Sequence, residues 1–230
     1  MEQQRRKCRK LFWIVVVVGS GIVGVLSAML DRQMLLPWVV LMGILSLGID
    51  FFWQQKFMKK QAECNRILFE EKNPDLYIAQ MQQMFEGVKG GQRQDCRNIN
   101  LAVAYYIKEE YPKAMEYLKE VQPNRLRGFT RAAYWANKTL VCFSWGRTEE
   151  ARQMLREQEP LFTKYAKRPD MAETLDTLQV WKRMSEQDWQ GAEAALTEAR
   201  RKWENDGNQE DFAKLAERCR KAKEEGGNGQ

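Results

Sequence analysis

VVVVGSGIVG, Val15 to Gly24, sets Gly19, Gly21 and Gly24 in the spacing G-x-G-x-x-G directly after an apolar run. A phosphate-cradling turn needs that spacing and more. A strand must end at the first glycine, an amphipathic helix must follow, and an acidic residue about twenty positions on must meet the ribose. Here the following segment, IVGVLSAML, has Ser27 as its only polar residue. No Asp or Glu occurs from Leu35 to Ile49, and Asp50 comes too late. The remaining chain has helical periodicity, so it supplies no strands for a parallel sheet. No dinucleotide and no other cofactor is expected.

The same glycines fit a helix in lipid. Leu11 to Leu30 is a run of twenty residues without a charge. At about 1.5 Å per residue it covers a hydrocarbon layer of about 30 Å. Asp31, Arg32, Gln33 and Met34 form a polar turn, and a second apolar run follows from Leu35 to Trp53. Pro37 falls in its first turn, where the missing N–H costs little. Trp13, Trp38, Phe52 and Trp53 lie near the ends of the two runs, where headgroups favour amphipathic rings. Two transmembrane helices, 11–30 and 35–53, are expected as an antiparallel hairpin. Ser20, Gly24 and Ala28 recur every fourth residue and are expected to pack against the second helix, which carries Gly43, Ser46 and Gly48.

Charge gives the hairpin an orientation. Residues 1–60 hold nine basic and three acidic side chains, the whole of the net +6, whereas residues 61–230 hold 28 of each. The basic segment 1–10 and Lys56, Lys59 and Lys60 flank the spans, which predicts cytoplasmic termini in an inner membrane and contact with anionic lipid through the basic flanks. A neutral soluble part argues against a nucleic-acid partner. The chain has no histidine and five scattered cysteines without a C-x-x-C pair. That pattern supports no metal site and no catalytic triad, and free thiols fit a reducing cytosol. The acidic pairs Glu109/Glu110 and Glu149/Glu150 read as solvated faces or turns, so no catalytic residue is assigned and no enzyme is expected.

The soluble part repeats itself. Asn98–Pro123 aligns with Trp135–Pro160: Asn100 with Asn137, Ala114 with Ala151, Leu118 with Leu155 and Pro123 with Pro160, all 37 residues apart. A third copy around Trp189, Ala192, Leu196 and Ala199 follows the second by 41. These residues, with Leu101, Ala102, Tyr105, Tyr111 and Gly146, resemble the tetratricopeptide repeat, a helix-turn-helix unit of about 34 residues. The resemblance covers roughly Asp95 to Trp203. Thr139 and Cys142 depart from it, standing where a small residue and an aromatic are preferred. Pro123 and Pro160 come one turn early, so short second helices are expected.

The expected fold is therefore all-α: a transmembrane hairpin followed by a tetratricopeptide-like α-solenoid of about three to four helical hairpins. Its segments are a basic tail (1–10), the spans (11–53), a juxtamembrane hairpin (54–92), repeats with a capping helix (93–225) and a disordered tail (226–230). Within this scheme residues 54–72 prolong the second membrane helix, and Asn73-Pro74-Asp75 opens a helix through Phe85. Phe212, Leu215, Ala216 and Cys219 share one face of the capping helix.

By resemblance, the first helices line a concave groove that binds a protein or peptide partner. Helical spacing assigns to it Arg97, Val103 and Tyr106, then Trp135, Leu140 and Phe143, then Trp181 and Met184. This largely apolar set suits an amphipathic helix. The chain is thus expected to be a membrane-anchored adaptor, with self-association open. In the alternative reading it is a subunit of a membrane complex or transporter assembly whose spans make the main contacts.

Overall fold

The computed structural model describes residues 2–29, 35–88, 90–204 and 209–227. Among them are ten α-helices and no strand. The chain forms two compact units, Met1–Lys89 and Gly90–Gln230.

The first unit contains α1 (Glu2–Met29), α2 (Leu35–Phe69) and α3 (Pro74–Met84). Both long helices are apolar enough to cross a membrane, and none of either apolar window is buried. Uncovered apolar surface on this scale needs lipid or another protein over it. The expected turn Asp31–Met34 lies outside the described residues. Two polar contacts fix the antiparallel register: Arg5 Nη2 donates to Asp50 Oδ1 at 3.1 Å, and Trp38 Nε1 donates to Ser20 Oγ at 3.1 Å. The basic segment is helical from Glu2 and continuous with the rest of α1.

The expected packing stripe needs correcting. A Cβ added at Gly19 would overlap the Trp38 indole, whereas Cβ positions at Gly24 and Gly43 meet nothing within 4 Å, and Ala28 is exposed. Ser20 bonds to α2 as proposed and Gly24 is half-buried beside it, whereas Ala28 and, on α2, Gly43 are exposed. The reason is the indole: it needs a residue without a side chain beneath it and an acceptor one position on. The seam runs through Phe12, Val16, Gly19, Ser20, Val23 and Gly24, half-buried with Trp38, Met42 and Ser46 of α2.

Beyond its apolar stretch α2 continues unbroken to Phe69, as its sequence leads one to expect. Its Cys64, Ile67 and Leu68 are buried, as are Tyr77, Ile78, Met81 and Met84 of α3. Phe57 meets Phe85 edge-on, with ring centroids 5.7 Å apart. Asn73 caps α3 by accepting from the Leu76 N–H at 3.0 Å, and Pro74 occupies its first turn.

The second unit is a stack of three helical hairpins, α4 (Gly91–Ile107) with α5 (Tyr111–Lys119), α6 (Gly128–Ser144) with α7 (Thr148–Tyr165), and α8 (Pro169–Ser185) with α9 (Trp189–Lys202). A final helix, α10 (Gln209–Gly227), packs on α9. Asn228–Gln230, most of the expected disordered tail, lie outside the described residues. The hairpins share one turn. The backbone enters the left-handed region at Glu109 (φ 60°), Gly146 (φ 79°) and Gln187 (φ 59°). The next N–H then reaches back five residues: Glu110 to Tyr105 O, Arg147 to Cys142 O and Asp188 to Arg183 O, at 2.8–3.0 Å. This is a Schellman closure, repeated three times. Its positions are separated by 37 and 41 residues, the offsets of the sequence repeat. Ala114, Ala151 and Ala192 are each fully buried three residues into the second helix.

The departures have local accommodations. Thr139 is buried, but its hydroxyl donates to Trp135 O at 2.8 Å, and Cys142 fills the aromatic position as a buried thiol. Pro123 does stop a short second helix, beginning a 3-10 turn through Arg125. Pro160 does not, because α7 runs through it to Tyr165. The residue is exposed, so water reaches the carbonyl that its missing N–H leaves free.

Gln187 occupies the left-handed position that glycine takes in the middle hairpin. Relieving the Cβ clash there is worth about 1–2 kcal/mol, less about 0.5–1 for the added freedom of unfolded glycine. Gln187→Gly should therefore stabilise the chain by roughly 0.5–1 kcal/mol, read from urea unfolding in detergent.

Candidate functional site

First helices pack on first helices (α4 on α6, α6 on α8), while each second helix packs on the first helix of the next hairpin (α5 on α6, α7 on α8). The hairpins thus fan about their first helices, which form the inner, concave layer. The curvature is tight. Arg218 of α10 donates from Nη2 to the Tyr111 hydroxyl at 2.5 Å, 107 residues earlier in the chain.

Around that guanidinium the ends of several helices converge. Its carbon lies 5.7 Å from the Tyr111 ring centroid and 5.9 Å from the Trp181 ring. Trp181 of α8 stacks on Phe143 of α6 at 5.8 Å with an interplanar angle of 8°. Tyr106 of α4 lies 6.0 Å from Tyr111. Glu109 Oε2 is 3.6 Å from Arg218 Nη2. The cluster is a cation between aromatic rings with one carboxylate beside it, an arrangement worth about 0.5–1 kcal/mol per ring where exposed and more where water is excluded. Burial pushes the Tyr106 hydroxyl above its ordinary pKa, so it stays a neutral donor and acceptor.

Of the eight residues assigned to the groove from helical spacing, Tyr106 and Trp181 stand in this cluster. Phe143 backs it without facing solvent. Leu140, Phe143 and Met184 are only 7%, 3% and 7% exposed and belong to the core instead. Trp181 of the next hairpin covers Phe143, and Met184 packs in one cluster with Leu196 of its own hairpin and Phe212 and Leu215 of α10. Val103 is half-buried. Trp135 meets Tyr134 edge-on at 5.0 Å, with Lys138 Nζ 5.3 Å from its ring. Arg97 donates from Nε and Nη2 to Asn98 Oδ1 at 3.1 and 3.0 Å, and Asn98 Nδ2 donates to Glu120.

That last chain of contacts borders a clamp which helical spacing did not single out. Asp95 is wholly buried and accepts both Arg125 Nε and Nη2 at 3.0 Å, with the Gln122 N–H at 3.2 Å. It ties the start of α4 to the turn leading into α6. The bidentate geometry fixes that turn, and the partly exposed Arg125 limits the desolvation cost. Arg218, Tyr111 and Glu109 are the other unforeseen members of the site. Tyr111 carried a signal as a repeat residue and Glu109 as a turn residue, but neither as part of a site, and Arg218 only flanks the apolar stripe of α10.

Among the described residues no three Cys, Asp or Glu side chains gather as a metal ion would require. The chain matches no family model, no curated protein and no solved structure. Its site is therefore read from its own geometry.

Two groups beneath the concave layer link folding to pH. Burial raises the Cys142 thiol from 9.0 to about 11 and the Tyr134 hydroxyl from 10.0 to about 12. Between these values the unfolded chain releases protons that the folded chain keeps, so stability falls as pH rises. Urea midpoints followed by circular dichroism should hold steady below pH 9 and decline progressively from pH 9 through 11.

Proposed function

We propose that the protein is a membrane-anchored adaptor. A two-span hairpin fixes a tetratricopeptide-like domain to the inner face of a bacterial-type membrane, and the concave face of that domain binds a protein partner. The observation that carries this reading is the aromatic cluster, in which Tyr106 and Trp181 of the inner helices α4 and α8 meet Tyr111 at the start of α5, backed by Phe143 of α6. A stack serving only as a spacer has no need to bring such rings together on its inner side. The threefold turn supports the family resemblance, and the basic flanks of the spans support cytoplasmic termini and contact with anionic lipid. Tethering holds the domain in a thin layer and raises its effective concentration for partners in the same membrane.

Photo-crosslinkable residues placed at Val103, Tyr106 or Trp135 in cells should yield a discrete protein adduct. The same probe at Gln153, exposed on α7, should yield none. Equal adducts from both faces, or from neither, refute the groove.

A second reading, that the spans themselves bind a membrane subunit, is favoured by the open space at Gly24 and Gly43. Under it, Gly24→Leu with Ala28→Leu should abolish recovery of a partner while leaving the melting of the soluble unit unchanged. Under the adaptor reading, recovery persists.

A further inference from the structure

Capping the stack and filling the groove are separable tasks for α10. A cap has only to cover the apolar end of the last hairpin, and Phe212, Leu215 and Cys219 do so by packing with Val180, Met184, Ala192 and Leu196. Arg218 lies at the rim of that cover, beside Trp181, and goes beyond it. From Trp181 of the last hairpin, whose ring centroid is 5.9 Å away, it reaches across to the first, where it bonds to Tyr111 and pairs with Glu109. It is half-buried there, with about a third of its side chain exposed (32%). A guanidinium bonded to a hydroxyl, facing aromatic rings and paired with a carboxylate is the chemistry of ligand recognition, supplied here from within the chain.

We infer that α10 is an intramolecular ligand of the concave face, anchored by Arg218. The partner of this surface presents an amphipathic helix bearing an arginine that takes the same place. The inference rests on the reading of the concave face as a binding surface, and it specifies both the chemistry and the regulation of that surface. With Arg218 seated the site is filled, and a partner's arginine must displace it. The apparent affinity for the partner is then lowered by the fraction of time the internal arginine is in place. Apolar contacts of the partner helix supply affinity, and the cage selects arginine over lysine because a planar guanidinium stacks on rings.

The test uses a fluorescein-labelled synthetic peptide of residues 209–227, titrated into the full chain in detergent micelles and followed by anisotropy. The Arg218→Ala chain should bind it at least tenfold more tightly than the unaltered chain. A peptide carrying the same Arg218→Ala change should bind at least tenfold more weakly to that variant. Equal affinities of the two chains, or of the two peptides, overturn the proposal. Hydrogen exchange separates a latch from a folding contact. Amides of α10 should exchange at least tenfold faster in Arg218→Ala and in Arg218→Gln, with α6 unchanged, whereas a joint rise in α6 and α10 overturns the proposal. Groove crosslinking in cells separates the two levels of the argument. Equal adduct yields from the unaltered and Arg218→Ala chains remove the internal ligand and leave the groove standing, and loss of adducts from both removes the groove itself.

Discussion

Close crossing of paired helices at three buried alanines is the constraint on which the second unit depends. Ala114, Ala151 and Ala192 each sit where the second helix of a hairpin meets the first, and each donates its N–H to the carbonyl four residues back, at Glu110, Arg147 and Asp188. A larger side chain there would spread the pair, since the distance between packed helices is set by the residues at the contact. Spreading one pair would shift the next, because each second helix rests on the following first helix. The aromatic cluster depends on this geometry at one remove: Tyr106, Phe143 and Trp181 come together only because successive hairpins keep one tilt.

Most of this architecture was legible in the sequence because it is local and periodic. The offsets of 37 and 41 that align the alanines also align the left-handed turn residues, although only one of those three is glycine. Helical spacing did less well on the groove. A wheel drawn through Asn100 or Asn137 defines a line along each first helix, but it does not say how far the neighbouring hairpin extends over it. Hence Leu140, Phe143 and Met184 went to the wrong side of the boundary between core and surface. Pro160 misled for a related reason, since exposure decides whether a proline ends a helix. Arg218 was out of reach altogether, because its partners are fixed by the accumulated curvature of three hairpins.

In the first unit, composition alone identified the two long helices, and their uncovered apolar faces agree with it. Which residues make the seam between them was harder to read. Small residues at every fourth position mark a face that permits close approach, and the sequence offers several such faces. Trp38 chooses among them by needing both a bare backbone at Gly19 and an acceptor at Ser20.

Polar bonds near opposite ends of the hairpin have a mechanical consequence. With the hairpin in a bilayer, sliding one rod past the other would break the Trp38–Ser20 bond where hydrocarbon offers no substitute, and would part Arg5 from Asp50 at the charged end. A bilayer thinner or thicker than the apolar span must then be met by leaning both rods as one body, or by deforming the lipid around them. In a bilayer such a hairpin would behave as a ruler of fixed length, matched to one hydrocarbon thickness.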